Sequence, residues 1–161
     1  MLAVLVFTLS SYAQAFDRFA PCDIPTSPLS TVAAADVNAC EALCAASDAC
    51  GAYTFVSGWD RCKLFAPTTR HVGVRITAGL VANGVVTAQQ EDHDNTGKDL
   101  ESVPRDLPDA NACGAACVAT AGCVGFSYVE GYRSCWLKRT EGVLVSKAFR
   151  CGFRIPSTES Q

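Results

Sequence analysis

Four cysteines occur twice in this chain at the same spacing, and this duplication restricts the fold more than any other feature. The two sets are Cys40, Cys44, Cys50 and Cys62, and then Cys113, Cys117, Cys123 and Cys135. Each set has the pattern C-x3-C-x5-C-x11-C, and 12 of 30 positions are identical between residues 36–65 and 109–138. Self-similarity at a fixed offset of 73 residues indicates that one structural unit has been duplicated.

The number of cysteines is typical of an oxidised extracellular protein. The chain has 10 cysteines among 161 residues, an even number at the density of disulfide-rich secreted scaffolds. A unit of about 70 residues buries too little apolar surface to be stable without cross-links. Zinc is not expected, because C-x3-C followed by C-x5-C is not a standard zinc-finger spacing. We therefore predict disulfides, with no metal and no cofactor.

The N-terminal segment predicts export. Residues 1–15 contain an apolar run from Leu2 to Leu9 and end in Ala13-Gln14-Ala15, which is typical of a signal peptide cleaved before Phe16. No Lys or Arg precedes the run, which leaves the true start of the signal peptide open, and the alternative interpretation of the run is a buried strand. The run is shorter than the roughly 20 apolar residues that span a bilayer, so we expect no membrane insertion. The predicted location is secreted and extracellular.

Charge and residue types argue against two functional classes. A net charge of −3 and a pI near 5.3 leave no basic surface for nucleic acid. The chain has two histidines and no nucleophile elbow, so we predict that it is not an enzyme. Residues 91–94 offer oxygen ligands for a divalent cation but lack the spacing of an EF-hand loop, which favours a solvated acidic loop.

Each repeat carries the pattern of one helix followed by a hairpin. Asp36 and Asp109 are suited to cap a helix at its N-terminus, and the alanine-rich segments after them favour helix. The predicted hairpin strands are 53–56 with 62–65 in the first repeat and 126–129 with 135–138 in the second. Further strands are predicted at 71–76 and 144–149. One helix packed on an antiparallel sheet, formed twice, is an α+β architecture.

The repeat also predicts how the chain is divided. We expect a first module at 16–80 and a second at 94–155. The segment 81–93 lacks cysteine, contains Asn83 and Gly84 and then becomes polar, so it is predicted to be a linker that includes part of a strand. Residues 156–161 are predicted to form a disordered tail.

The second repeat resembles the PAN/apple family. The resemblance rests on Cys113, Cys117 and Cys123, on the strand Phe126-Ser127-Tyr128, and on Cys135-Trp136-Leu137-Lys138. It extends over about residues 17 to 154, although the first repeat has Lys63 where the family favours Trp. It implies tandem modules, each a five-stranded antiparallel sheet cradling one helix. It also implies the disulfides Cys40–Cys62, Cys44–Cys50, Cys113–Cys135 and Cys117–Cys123.

Two further cysteines depart from the family pattern in a reciprocal way. Apple domains join their first and last strands by a third disulfide, and the first repeat has Cys22 but Ala78 at these positions. The second repeat has Asn95 and Cys151. We therefore hypothesise that Cys22 pairs with Cys151 and locks the modules together through their terminal strands. The alternative is two odd thiols that bond other chains, and the oligomeric state stays open.

The tips of the two hairpins carry the best candidates for ligand binding. An aromatic ring stands beside charged side chains in both, and such a pair stacks on a sugar or anchors a protein interface. The candidate residues are Trp59, Asp60, Arg61, Tyr132 and Arg133. In the alternative interpretation, the two aromatic rings fold back over the neighbouring disulfide.

The resemblance implies a binding function without catalysis. PAN/apple modules occur in lectin-like adhesins, in cell-wall-binding proteins and in extracellular protease precursors. The first hypothesis is an adhesin or lectin-like protein that binds a glycan or a cell-wall polysaccharide. The alternative is a protein–protein interaction module, such as a secreted inhibitor or effector.

Overall fold

The structure is a computed structural model that describes residues 14–156. Nearly all of the predicted signal peptide and of the predicted disordered tail lies outside these residues. Within the described residues the helices are α1 (Val37–Ala45) and α2 (Ala110–Val118). The strands up to residue 91 are β1 (Phe16–Phe19), β2 (Ser30–Ala33), β3 (Ala52–Val56), β4 (Arg61–Phe65), β5 (Ile76–Ala82) and β6 (Val85–Glu91). The later strands are β7 (His93–Asn95), β8 (Arg105–Asp106), β9 (Gly125–Val129), β10 (Ser134–Lys138), β11 (Leu144–Ser146) and β12 (Phe149–Arg154).

Both helices begin at the predicted aspartates. The side chains of Asp36 and Asp109 each accept a hydrogen bond from the backbone N–H three residues on, at 2.8 Å, which satisfies a donor that the helix leaves free. The inner face of each helix is tied to its hairpin by a disulfide, and a short second bond closes the loop after the helix. These bonds are Cys40–Cys62, Cys44–Cys50, Cys113–Cys135 and Cys117–Cys123. The predicted α+β class is confirmed.

The two five-stranded sheets exchange a strand with each other. The first sheet has the order β1-β12-β3-β4-β2, and the second has the order β6-β5-β9-β10-β8. Strand β12 closes the second repeat along the chain, yet it lies between β1 and β3 of the first. Strand β5 closes the first repeat, yet it pairs with β9 of the second. Each repeat therefore supplies the strand that completes the sheet of the other.

Two of the predicted strands have different limits in the structure. A further strand is predicted at 71–76, but in the structure only an isolated bridge between Val72 and Asp23 forms before β5 begins at Ile76. The region 144–149 is divided between β11 and the start of β12. Residues 71–75 connect the first sheet to β5 of the second, and residues 147–148 connect β11 to β12 of the first sheet; apart from the bridge at Val72, neither segment forms strand pairing.

The segment predicted as a linker is mostly strand. Residues 81–93 include the end of β5, all of β6 and the start of β7. Strand β6 pairs with β5 and forms an edge of the second sheet, the position that β1 occupies in the first. Its polar composition fits an edge strand with one side in solvent. Residues up to Glu91 therefore belong to the second sheet, and His93 begins β7, which pairs with β11.

The fifth disulfide joins the segment that follows β1 to the exchanged strand β12. Cys22 and Cys151 are bonded and almost fully buried, with a Cα–Cα distance of 5.5 Å. In the second repeat the residue that corresponds to Cys22 is Asn95 of β7, which is buried. The Asn95 amide donates to the carbonyl of Gly79 at 3.1 Å, and its backbone N–H donates to Ser127 at 3.0 Å. Hydrogen bonds there hold strand β5 where the first sheet uses a disulfide.

Each exchanged strand places a glycine opposite an aromatic ring of the sheet that it completes. Gly152 of β12 lies opposite Tyr53 of β3, and Gly79 of β5 lies opposite Phe126 of β9. A Cβ atom at either glycine would collide with the facing ring. Both rings are fully buried, so neither can move aside without opening a core. The same complementarity therefore operates in both sheets.

A small apolar cluster lies where the crossing segments meet. It contains Val56, Val74, Ile76 and Phe149, all buried, and therefore draws on both repeats. The cores under the two helices are separate from it. Because strand pairing, a disulfide and this cluster all join the repeats, we expect them to unfold together as one unit.

Candidate binding cleft

The tight turn between β3 and β4 carries three of the predicted ligand-binding residues. Gly58 and Asp60 have positive φ angles of 78° and 49°, a region that glycine adopts freely and aspartate tolerates. This backbone places Trp59 at the outside of the turn, where half of its surface is exposed to solvent (50%). Asp60 and Arg61 are also exposed.

Contacts from the second repeat fix the orientation of Trp59. The ammonium of Lys147 lies 3.6 Å from the centroid of the indole ring, a cation–π geometry. The ring of Phe149 meets the indole edge-on at 6.4 Å between centroids. Lys147 is held in turn by Asp94, with 2.6 Å between Nζ and Oδ2. The indole is therefore positioned before any ligand arrives.

Trp59 borders a cavity in the described part of the chain with a volume of about 410 Å³. The cavity is a shallow cleft between the turn and the edge strand β2. Its walls are Thr31, Val32, Ala33, Trp59, Asp60 and Arg61. The cleft thus combines one aromatic face with a hydroxyl, a carboxylate and a guanidinium.

The equivalent turn of the second repeat is engaged in internal contacts. The Tyr132 hydroxyl donates to Asp23 of the first repeat at 2.9 Å, and burial together with this carboxylate raises the pKa of the phenol. Arg133 forms an ion pair with Asp106 of β8, with 2.7 Å between Nε and Oδ1. Tyr132 and Arg133 therefore have partners within the chain, whereas the first turn opens onto a cleft.

The five predicted residues are thus divided between two equivalent corners. Trp59, Asp60 and Arg61 share one cleft, and Tyr132 and Arg133 lie at the corresponding corner of the other repeat. Both aromatic rings contact the neighbouring repeat. Sequence reasoning missed Thr31 and Lys147, because only the pairing of β2 with β4 and the strand exchange bring them to the turn.

The lysine that contacts Trp59 belongs to a mostly buried ion pair. The Lys147 side chain is 3% exposed and bonds Asp94, which also accepts from the Ser127 hydroxyl at 2.6 Å. Burial acts to raise the pKa of Asp94, but the bonds from Lys147 and Ser127 outweigh it and hold that pKa below its usual value. Asp94 is therefore charged in the folded protein and joins β7 to the segment under Trp59.

The depressed pKa of Asp94 makes part of the stability depend on pH. A carboxyl group whose pKa is lower in the folded state stabilises the protein above its unfolded pKa of about 3.9, and this stability is lost as the pH falls further. We expect the difference in unfolding free energy between wild type and Asp94→Asn to be largest at neutral pH and smaller at pH 3. Urea denaturation at both pH values measures it. An equal difference at the two pH values would show that Asp94 does not make this pH-dependent contribution to stability.

The other acidic residues near position 91 are also paired. Glu91 and Asp92 lie 3.1 Å and 3.6 Å from Arg75, so their charges are balanced within the protein. Among residues 14–156, no group of three or more His, Cys, Asp or Glu side chains has the arrangement of a metal site. Neither of the two described helices has the length and apolar character needed to cross a membrane.

Comparison with protein families accounts for both repeats. One family model, described as PAN domain, matches residues 14–92, and a second with the same description matches residues 93–138. The chain belongs to the PAN domain family. PAN domains are known as protein-binding and carbohydrate-binding modules and are generally non-catalytic. Disulfide-rich PAN domains are typical of extracellular proteins. No curated protein matches the chain.

Proposed function

We propose that this PAN protein is a secreted, non-catalytic binding protein that recognises a glycan in the cleft beside Trp59. One observation carries the proposal: a half-exposed indole with a fixed orientation stands in an open cleft with polar side chains. Glycan binding needs this combination, because the apolar face of a sugar stacks on an aromatic ring while its hydroxyls bond polar groups. A volume of about 410 Å³ is within the usual range for a small-ligand site.

The polar walls of the cleft suit hydroxyl recognition. Thr31 both donates and accepts, the carboxylate of Asp60 accepts, and the guanidinium of Arg61 donates. The support of Trp59 by Lys147 and Phe149 reduces the conformational freedom that the ring would lose on binding. The cleft is therefore largely organised in advance.

The composition of the cleft also supports binding without catalysis. Glycoside hydrolysis ordinarily requires two carboxyl groups across the scissile bond. Asp60 is the one carboxyl group among the six residues that line this cleft, and none of the six is His or Cys. We therefore propose that the bound glycan is held without being cleaved.

The edge strand β2 supports a second candidate function, the binding of a protein. All four of its residues are exposed, and among the strands of residues 14–156 it has a neighbour on one side only, β4. An extended peptide adds to such an edge through backbone hydrogen bonds and needs no aromatic platform. Binding of a peptide that survives loss of the Trp59 ring would favour this candidate.

The proposal predicts that Trp59→Ala removes glycan binding. The substitution deletes the stacking surface, and we expect at least a tenfold loss of affinity, because an aromatic contact of this kind is worth about 1.5 kcal/mol beyond its buried area. A glycan array of the oxidised protein identifies the ligand, and calorimetry then measures both proteins. Tyr132→Ala, the equivalent change in the second repeat, is the matched control and should retain binding. If only the control loses affinity, the site is at the other corner.

Export predicts a defined N-terminus. If residues 1–15 are a signal peptide, the protein recovered from culture medium begins at Phe16. N-terminal sequencing or intact-mass measurement of secreted material tests this. Retention in the cell with Met1 still present would count against export.

A further inference from the structure

A second pocket lies between the start of helix α2 and the second sheet, with a volume of about 230 Å³. One side is formed by β5, by β6 and by the end of β9, and the other side by the first residues of the helix. Three of the residues that line it are carboxylates, namely Glu91, Asp109 and Glu130, and none of its lining residues is Lys or Arg. The pocket therefore carries an excess of negative charge.

Two of these carboxylates are not balanced by a cation. Arg75 lies outside the lining and pairs with Glu91, with 3.1 Å between Nη1 and Oε2. No such ion pair forms at Asp109 or at Glu130 among residues 14–156. The charge that the pocket presents to a ligand therefore stays negative after Arg75 is counted.

Asp109 is available to a ligand although it caps the helix. Its Oδ1 atom accepts from the backbone N–H of Ala112 at 2.8 Å, and Oδ2 has no hydrogen bond within the described residues. The partial positive charge of a helix N-terminus acts against a bound cation, but the capping carboxylate offsets it and Glu130 lies on the sheet side. Arg133, a further cation near this face, is engaged by Asp106. A cation in the pocket thus meets two available carboxylates.

A buried hydroxyl in the wall of the pocket also lacks a partner. Thr77 of β5 is 7% exposed, and its side chain makes no hydrogen bond to any residue in the range 14–156. It lies directly opposite Glu91 on β6 and Tyr128 on β9, so its side chain is on the face of the sheet that borders the pocket. An unpaired buried hydroxyl costs free energy, which a ligand that bonds it recovers.

The first sheet has a cation at the position of Thr77. Arg150 of β12 lies opposite Phe55, just as Thr77 lies opposite Tyr128, and both pairs are related by the repeat offset of 73 residues. Arg150 also lines a pocket beside the start of its helix, where Val37 is the first residue of α1. The first sheet therefore supplies its own guanidinium where the second sheet has a short hydroxyl and an open space.

We propose that the pocket at α2 binds an amino sugar through its free ammonium group, which Asp109 and Glu130 hold. A primary ammonium has three donors, and these suit two carboxylates and the hydroxyl of Thr77. Bonds between an ammonium and a carboxylate are charge-assisted and stronger than neutral ones. The side-chain amides of Gln89 and Asn111, which also line the pocket, both donate and accept and suit the sugar hydroxyls.

The size and composition of the pocket favour an amino sugar over other cations. In the part of the chain that the structure describes, these carboxylates form no group of three arranged to hold a metal ion, which favours a larger organic cation. The volume is below the roughly 300 to 1,000 Å³ of drug-sized sites and has room for one sugar ring. The long apolar stem of a lysine side chain favours apolar walls, whereas most of these walls are polar.

This site is separate from the cleft at Trp59. The two pockets share no lining residue and belong to different sheets. The inference therefore goes beyond the proposed function and does not depend on it.

The test compares an amino sugar with its acetylated form. Calorimetric titration of the full oxidised protein uses a glucosamine oligosaccharide and its N-acetylated counterpart at pH 6, below the pKa of an amine. Acetylation removes the charge and keeps the ring, so the free amine should bind about tenfold more tightly. Glu130→Gln and Asp109→Asn should each remove most of that preference, and asparagine still caps the helix. Asp36→Asn, the matched change at α1, should keep it.

Thr77→Val tests the unpaired hydroxyl. Valine has nearly the shape of threonine and lacks the hydroxyl, so binding of the free amine should weaken severalfold while the protein stays folded. Unchanged affinity in this variant would contradict a contact between Thr77 and the ligand.

The outcomes separate this inference from the proposed function, because the same titrations are repeated in Trp59→Ala. A preference for the amine that survives this change supports the second site, whatever happens to binding in the first cleft. Loss of the preference in Trp59→Ala alone would place the amine in that cleft. Equal binding of both saccharides, or a preference unchanged in both Glu130→Gln and Asp109→Asn, overturns the inference. Equally tight binding of an Nα-acetylated lysine amide would overturn the sugar as ligand in favour of a lysine side chain.

Discussion

Removal of the Cys22–Cys151 disulfide is expected to lower the free energy of unfolding by about 4 kcal/mol. The two cysteines are 129 residues apart, so the bond closes a long loop and restricts the unfolded chain strongly. The other four disulfides shorten the effective loop, which places the estimate slightly below the value for an uncrosslinked chain of that length. A double change, Cys22→Ala with Cys151→Ala, leaves no free thiol and fits a site that is almost fully buried.

The short disulfide of the first repeat provides the comparison. Cys44 and Cys50 are 6 residues apart, and replacing both by alanine should cost about 2 kcal/mol in the same chain-entropy treatment. Guanidinium denaturation of the oxidised proteins measures both. Equal losses would contradict the expected dependence of the stabilisation on loop length.

Replacement of Lys147 by methionine is expected to cost about 3 kcal/mol, because it leaves the Asp94 carboxylate without its partner in a mostly buried position. Methionine keeps most of the side-chain volume, so little of the loss comes from a cavity. The substitution also removes the cation under the Trp59 indole. We therefore expect weaker glycan binding in addition to lower stability.

A double-mutant cycle isolates the pair. Adding Asp94→Asn to Lys147→Met removes the unpaired charge, so the double variant should be more stable than the sum of the single losses indicates. Denaturation of the four proteins gives the coupling energy. Strictly additive losses would show that Lys147 and Asp94 do not interact in solution.

The local elements of the fold were predictable because they depend on neighbouring residues. Asp36 and Asp109 identified the helix starts, and the cysteine spacing with the aromatic strands identified the hairpins. The exchange of β5 and β12 was not predicted. The two strands have similar apolar patterns, and the choice of partner strand depends on contacts far apart in the sequence. The reciprocal presence of Cys22 and Cys151 was the one signal that terminal strands of different repeats meet.

The candidate site was predictable only in part. The turn sequence identified Trp59 as an aromatic residue beside charges, and the structure places it with Asp60 and Arg61 in one cleft. The contribution of β2 depends on which strand flanks β4, and that of Lys147 depends on the exchange. Neither contribution can be predicted from the residues near position 59. The same pattern at Tyr132 predicted ligand binding there equally, although the Tyr132 hydroxyl donates to Asp23 in the structure.

Each repeat completes the sheet of the other, and cross-strand nuclear Overhauser effects are the most direct test of this strand exchange. In the isotope-labelled oxidised protein, we predict effects between the backbones of Cys151 and Thr54 and between those of Ala78 and Ser127, which face each other in the two sheets. If each repeat kept its own last strand, the effects would instead join Ala78 to Thr54 and Cys151 to Ser127. That second pattern would contradict the strand exchange.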